Sequence, residues 1–373
     1  MNQSQRFLSL DVFRGMTVCF MIIVNTPGSG AKPFAMLEHA AWHGFTPTDL
    51  VFPSFLFAVG NAMSFSMRKF AQMENPAVLM NIFKRVLLIF LLGYLMYWFP
   101  FFSQNENGGI SFLPIANTRI FGVLQRIAIC YGIASLLIHY LSTRYVILIS
   151  MLFLIGYWVA LLVFGDSADP FSMTANAGQQ LDLFLLGDKH LYHGEGIAFD
   201  PEGILSTIPA CVNVIIGYYA GKFIQERGKG YETVAKLMLA GGVLIVISLC
   251  LNPVFPINKK LWTSTFVLLT CGLDLLIIGA LIYSIEISAS TRWTGFFTVF
   301  GKNPLFIYLL SELLLSIIYV LVPGSDFRSW VNNNFFQVIA PGPLGSLLFA
   351  ICFMLVCWLI GYMLDKRKIY IRV

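Results

Sequence analysis

Apolar residues run in long blocks along this chain, and the polar residues gather in short strings at the block ends. A bilayer's hydrocarbon core is about 30 Å thick, so a helical crossing needs about 20 mostly apolar residues. Ten blocks meet that requirement, at residues 8–25, 47–67, 83–101, 121–140, 146–164, 204–223, 234–251, 263–284, 301–322 and 343–363. The pattern predicts an all-α polytopic membrane protein, a bundle of about ten transmembrane helices in a single domain over residues 1–373. Asp11 and Arg14 interrupt the first block and no small-residue cleavage site follows before Asn25, so it reads as a retained span rather than a signal peptide.

Composition agrees with the pattern. Hydrophobic residues make up 57% and charged residues 12%, about half the charged share of a soluble domain. All seven cysteines fall inside expected spans, where a thiol acts as a small apolar side chain, and none has metal-ligand spacing. Neither a disulfide framework nor a metal site is expected. With the N-terminus cytoplasmic, sixteen of the 24 Lys and Arg fall on the inner side, six on the outer side, and Arg14 and Arg126 within spans. The excess places both termini in the cytoplasm. It also accounts for the net charge of +5 without a nucleic-acid partner.

In this topology every polar string maps to the outer end of a span. Asn25 closes the first; His39, His43 and Asp49 precede or enter the second; Arg119, Gln125 and Arg126 open the fourth. Asp200 and Glu202 open the sixth, and Asn258, Lys259, Lys260 and Trp262 open the eighth. Ionisable groups at membrane depth are costly, so such a cluster is a candidate functional site.

Each string also has a structural reading. Trp42, Trp262 and Tyr192 suit an interfacial aromatic belt as well as substrate stacking. Lys259 and Lys260 suit snorkelling cations as well as an anion site. Asp200-Pro201-Glu202-Gly203 would serve as a helix cap. Asp11 and Arg14, three apart, are expected to pair. Asp274 sits mid-span without a local partner and should face the interior and find a donor there. His39 and His43 are four apart, but Gly44 and Pro47 argue against a regular helix and no third ligand is evident, so histidine base chemistry is preferred to metal binding. Phosphate-binding loops, a Rossmann fingerprint and a serine-hydrolase elbow are all missing, and no halves repeat is visible.

At these residues the chain resembles the transmembrane N-acetyltransferases typified by heparan-alpha-glucosaminide N-acetyltransferase, and their shorter bacterial relatives, called NagX-like. The resemblance runs through Ser9-Leu-Asp-Val-Phe-Arg-Gly15, Asn25, His39-Ala-Ala-Trp-His-Gly-Phe-Thr-Pro-Thr-Asp-Leu-Val-Phe-Pro53, Gly122-Val-Leu-Gln-Arg-Ile127, Phe199-Asp-Pro-Glu-Gly-Ile-Leu-Ser-Thr-Ile208, Ile257-Asn-Lys-Lys-Leu-Trp262 and Gly301-Lys-Asn-Pro-Leu305.

The resemblance implies an enzyme of the bacterial inner membrane that takes acetyl from cytoplasmic acetyl-CoA, its co-substrate, and delivers it to the amino group of a glucosamine-type sugar at the periplasmic face. Its active-site histidine maps to His39 and its asparagine to Asn25. His43 departs from the family pattern, which has Asn there. By the same resemblance, His39 would act as general base or form an acetyl-histidine. Asn25, Lys259 or Arg126 would stabilise the oxyanion, and Asp49, Asp200 and Glu202 would meet sugar hydroxyls or the ammonium. His43, Asn258 and Trp262 complete the expected substrate site. A homodimer would be unsurprising for this family. The alternative is a non-enzymatic membrane carrier for amino sugars or related small solutes, or a scaffold for sugar-processing partners.

Overall fold

The computed structural model describes residues 7–28, 32–104, 110–321 and 327–371. Among these, nine helices are long and apolar enough to cross a membrane, and one bent pair of helices meets the same test when taken together. In chain order the helices are α1 (Leu8–Asn25), α2 (Val51–Phe70, entered through a 3-10 turn from Pro47), α3 (Asn75–Trp98), α4 (Val123–Tyr140), α5 (Thr143–Phe164), α6 (Ala177–Leu186), α7 (Ile204–Arg227), α8 (Tyr231–Leu251), α9 (Ser264–Leu281), α10 (Thr294–Lys302), α11 (Pro304–Leu321), α12 (Phe327–Val331), α13 (Gln337–Ile339) and α14 (Pro343–Lys366). One two-stranded hairpin, Phe102–Gln104 with Ile110–Phe112, follows α3. A fully helical crossing is what a bilayer requires, because every backbone group must find its partner within the segment.

Two expected boundaries are corrected. The third span begins at Asn75 rather than residue 83, with Pro76 in its first turn, where a missing N–H costs nothing. Lys84 and Arg85 therefore lie inside the helix, and the Arg85 guanidinium sits over the Tyr131 ring, 4.6 Å from its centroid. The block expected at 301–322 is not one straight helix: α10 and α11 meet at 83°. Pro304 lacks the N–H needed to continue α10 and drives Asn303 out of helical geometry, to φ −131°. The Asn303 side chain then closes the break, donating to Ile369 O at 3.0 Å and accepting from Ile371 N–H at 2.8 Å.

Packing rests on small residues, as in other helical membrane proteins. A Cβ on Gly60 of α2 would lie 2.0 Å from Val214 O, and one on Gly217 of α7 would lie 2.2 Å from Phe57 O. These contacts, with Ser64 of α2 bonded to Gln225 of α7, make α2 and α7 parallel neighbours that begin at the same end. In α8 and α9, Gly241 and Gly272 meet backbone to backbone, while Ser248 donates to Thr265 O at 2.6 Å, an antiparallel pair. The buried core is contiguous from α1 to α14. Asp11 and Arg14 pair at 3.0 Å, as expected. Asp274 is fully buried and accepts from Ser54 Oγ at 2.5 Å, so the interior partner expected for it exists. All seven cysteines lie in helices and are free.

Candidate active site

The N-terminal ends of α2, α4, α7 and α9 converge, and the segments leading into them supply the polar strings. Each helix start carries partial positive charge from its unpaired N–H groups, so their convergence favours electron-rich groups at this end of the bundle.

The segment before α2 folds around Asp49. Thr46 and Asp49 form a capping box, the Thr-x-x-acid pattern at a helix start. Asp49 Oδ2 accepts from Thr46 N–H at 3.0 Å, Thr46 Oγ1 at 3.1 Å and Ala40 N–H at 3.2 Å. Its other oxygen, Oδ1, lies 2.7 Å from His39 Nδ1. Asp49 is fully buried, whereas the His39 side chain is 44% exposed. A carboxylate can only accept, so Nδ1 carries the proton and Nε2 keeps its lone pair toward the accessible side.

Lys259 comes from the turn before α9. Its Nζ lies 3.1 Å from His39 Nε2, 2.9 Å from Nδ1 and 3.6 Å from Asp49 Oδ1. Burial holds the Lys259 ammonium pKa below its ordinary value, against the opposing pull of Asp49 and Glu202. A freely snorkelling cation is thereby overturned for Lys259. Lys260 also has fixed partners, Ala41 O at 3.0 Å and Glu195 at 2.6 Å. Asn258 is buried and anchors the turn, accepting from Leu261 N–H at 2.8 Å and donating to His43 Nδ1 at 3.3 Å. Burial pulls the His43 imidazole below its ordinary range, partly offset by Asp169, and favours its neutral form. The two histidines thus have different protein partners, Asp49 for His39 and Asn258 for His43. Among the described residues no group of three or more His, Cys, Asp or Glu could hold a metal.

Trp262 is not part of an interfacial belt. It is 1% exposed, in left-handed backbone geometry at φ +54°, and donates from Nε1 to Asn213 Oδ1 at 3.1 Å. Arg126, also fully buried, lies over its indole ring at 4.7 Å and donates to Pro201 O at 2.9 Å. Together they tie the turn that carries Lys259 to the start of α7. Trp42 is fixed as well, donating to Phe171 O at 2.9 Å and packing edge-on against Phe199.

A second polar cluster lies beside the first. Arg119 donates to Asp200 at 2.9 and 2.6 Å and to Glu202 at 2.6 Å, its guanidinium between the rings of Tyr97 and Tyr192. Burial pushes the Glu202 carboxyl up, but Arg119 and Arg126 outweigh it and hold the group below the ordinary range. Asp200 also accepts from Glu202 N–H at 3.0 Å. The start of α7 is satisfied by a residue outside the string, Asp182 of α6, which accepts from Ile204 N–H at 3.0 Å. Asn25 pairs with Glu312 of α11 at 3.2 Å, so the structure does not join it directly to His39.

The sequence placed Arg119 in the polar cluster without giving it a role, and passed over Asp182, Glu312 and Tyr97. Glu312 had a signal, as the one charged side chain in an apolar run. Asp182 had none, because its partner is a backbone N–H 22 residues away.

Below this end, a cavity of about 690 Å³ runs along the bundle, within the range of cofactor sites. Phe55 and Leu124 line its upper part; Arg14, Arg85, Lys302 and Tyr370 line it toward the opposite end. Phe55 lies six residues from Asp49, about 9 Å along a helix axis. Such a cavity could seat a long phosphate-bearing donor, with cations at one end and an apolar neck at the other.

Residues 6–248 match the family model described as heparan-alpha-glucosaminide N-acetyltransferase, catalytic. Two curated relatives are named heparan-alpha-glucosaminide N-acetyltransferase. The one from Mus musculus is 26% identical over 429 residues, covering 100% of this chain and 61% of the relative. The one from Homo sapiens is 27% identical over 362 residues, covering 83% of this chain and 53% of the relative. The chain therefore spans between half and two thirds of the length of these relatives.

Proposed function

The chain belongs to the heparan-alpha-glucosaminide N-acetyltransferase family, and from this and the geometry at His39 we propose a transmembrane N-acetyltransferase. It moves acetyl from acetyl-CoA, bound in the long cavity, to the amino group of a glucosamine-type sugar that reaches His39 from the other side. The excess of Lys and Arg in the loops supports an orientation with both termini cytoplasmic and the His39 end periplasmic, in a bacterial inner membrane.

The observation that carries this reading is the arrangement of His39 between Asp49 and Lys259, above a cavity that reaches within two helical turns of it. Asp49 holds Nδ1–H, so Nε2 keeps its lone pair; as the Lys259 ammonium, 3.1 Å from Nε2, turns to the thioester oxygen, Nε2 takes a proton from the sugar ammonium, and the neutral amine then attacks the thioester carbonyl. As the carbonyl oxygen gains charge, the Lys259 ammonium and the converging helix starts offset it. His39 passes that first proton to solvent at its exposed side and takes the second from the adduct nitrogen, and collapse of the adduct breaks the C–S bond, releasing the N-acetylated sugar and CoA thiolate, which is protonated by solvent. Arg119 with Asp200 and Glu202 forms a charged platform beside His39, suited to sugar hydroxyls.

The test is acetyl transfer by protein in liposomes, with labelled acetyl-CoA on one side and glucosamine on the other. Labelled N-acetylglucosamine from wild type but not from His39→Ala supports the reading. Glucosamine flux without acetylation replaces it with a carrier.

A further inference from the structure

The end of the long cavity opposite His39 is lined by an aromatic ring that the transfer chemistry does not use. Tyr370 borders the cavity together with Ile371, Gly301, Lys302 and Pro304. It is also 38% exposed, so the cavity reaches the surface beside it.

The ring is put there by a turn built for the purpose of reversing the chain. Lys368, at φ +57°, holds the left-handed position that glycine usually takes after a helix. Its N–H donates to Asp365 O and the Ile369 N–H to Leu364 O, both at 2.9 Å, which closes α14 and turns the chain back. Asn303, in the break between α10 and α11, grips the returning chain on either side of Tyr370, donating to Ile369 O at 3.0 Å and accepting from Ile371 N–H at 2.8 Å. The phenol donates to Asp365 Oδ1 at 3.1 Å, the carboxylate that also holds Lys302. With backbone and hydroxyl both fixed, the ring has little freedom left to lose on meeting a ligand. Among the described residues no aromatic ring or cation is packed on a face of it. A residue of an interfacial belt sends its polar tip to water or headgroups; this one sends it to a protein carboxylate and leaves its ring at the cavity.

The surroundings are positive. Arg14 and Lys302 line the same end, each paired with one aspartate, Asp11 and Asp365, and Lys366, Arg367 and Lys368 are exposed on the turn. An aromatic face among cations suits a nucleotide, with the base on the ring and the phosphates on the cations. Length agrees. On α2 the cavity is lined from Phe55 to Phe65, about 15 Å along a helix axis. The arm of CoA between sulfur and diphosphate is as long as four to five residues of extended backbone, also about 15 Å. A thioester at the Phe55 neck therefore leaves the diphosphate among the cations and the nucleoside beyond it, at the surface end.

Resting on the proposed transfer reaction, we propose that Tyr370 stacks on the base of acetyl-CoA and selects donors that carry a nucleoside.

The test compares acetyl-CoA with acetyl-4′-phosphopantetheine, which keeps the thioester, the arm and one phosphate but has no nucleoside. Initial rates with glucosamine are measured for purified wild type, Tyr370→Ala and Tyr370→Phe, each checked for folding by thermal unfolding. Loss of one base–aromatic stack weakens binding about fivefold or more, so Tyr370→Ala should raise KM for acetyl-CoA by about that factor at unchanged kcat, and leave KM for acetyl-4′-phosphopantetheine within about twofold. Tyr370→Phe keeps the ring and should stay close to wild type with both donors. Equal rises with both donors, no rise with acetyl-CoA, or a wild type with the same KM for both overturn the stack while leaving the transferase reading intact. A Tyr370→Phe as impaired as Tyr370→Ala overturns it too, since the hydroxyl and not the ring would then carry the effect. Wild type inactive with both donors overturns both readings. Should Tyr370→Ala fail to fold, Tyr370→Leu, which keeps apolar bulk without an aromatic face, decides in its place.

Discussion

Asp49 holds the His39 ring by its Nδ1–H at 2.7 Å while its other oxygen collects three donors from Ala40 and Thr46. In the proposed reaction that carboxylate orients the ring rather than meeting the sugar. Asp49→Asn preserves the shape but puts an amide N–H where a lone pair stood, favouring the wrong imidazole tautomer. By analogy with the buried aspartate of serine-protease triads, kcat should fall on the order of 10³-fold or more with KM for the sugar little changed. Steady-state kinetics in liposomes check this; a rise in KM at unchanged kcat would return Asp49 to a sugar-binding role.

Arg85 is the cation of the cavity least occupied by other partners. Lys302 is held by both oxygens of Asp365 at 2.8 and 2.7 Å, whereas Arg85 Nε is buried without a hydrogen-bond partner. A phosphate-bearing donor would supply the missing acceptor. Arg85→Ala should raise KM for acetyl-CoA about tenfold or more and leave KM for the sugar unchanged, as measured by initial rates with either substrate varied. An equal effect on both would mean that the cavity does not seat the donor.

How much of this was legible follows from the range of each interaction. Ten crossings could be read from block length alone, since hydrocarbon thickness imposes that length locally. The Asn303-Pro304 break was also written in the sequence, yet the apolar run across it masked the proline. The polar strings named His39, Asp49, Lys259, Asp200 and Glu202 because membrane depth makes such residues conspicuous. Their partners were not legible: Lys259 meets His39 from 220 residues away, and helix order within a bundle leaves no periodic trace. Whether Trp262 was interfacial or stacked on substrate stayed open for the same reason, since the Arg126 and Asn213 that bury it come from α4 and α7.

Arg119 holds the buried Asp200 and the partly buried Glu202 together, so its loss should be felt in stability before catalysis. In Arg119→Ala, Asp200 and Glu202 face each other without a cation, and breaking such a buried pair costs about 3 to 5 kcal/mol. Arg119→Lys should recover only part of this, because a lysine gives neither the forked bonds to Asp200 nor stacking between Tyr97 and Tyr192. Thermal unfolding in detergent should place wild type above Arg119→Lys and Arg119→Ala lowest. If the Asp200→Asn, Glu202→Gln double change on Arg119→Ala recovers nothing, unpaired charge is not the cause.

Asp182 gives this end of the molecule a pH-dependent stability whose sign is set by a contest. The start of α7 favours a carboxylate there, by about 0.3 to 1 kcal/mol and up to about 2 in partly buried sites. Burial opposes it, and with the nearby Asp200 it raises the Asp182 carboxyl from an ordinary 3.8 to about 7, despite the Ile204 N–H and Arg126. One pKa unit is worth about 1.4 kcal/mol, so burial wins. The folded chain therefore holds this proton more tightly than the unfolded chain. Its stabilising contribution is fully present below the unfolded value near 4 and is lost as pH rises through about 7. Asp182→Asn keeps an acceptor for Ile204 N–H and removes the titration. Unfolding temperatures measured from pH 5 to 8 should fall more steeply in wild type than in the variant, leaving Asp182→Asn the more stable protein at pH 8. The opposite slope would mean that the helix start, and not burial, governs this carboxylate.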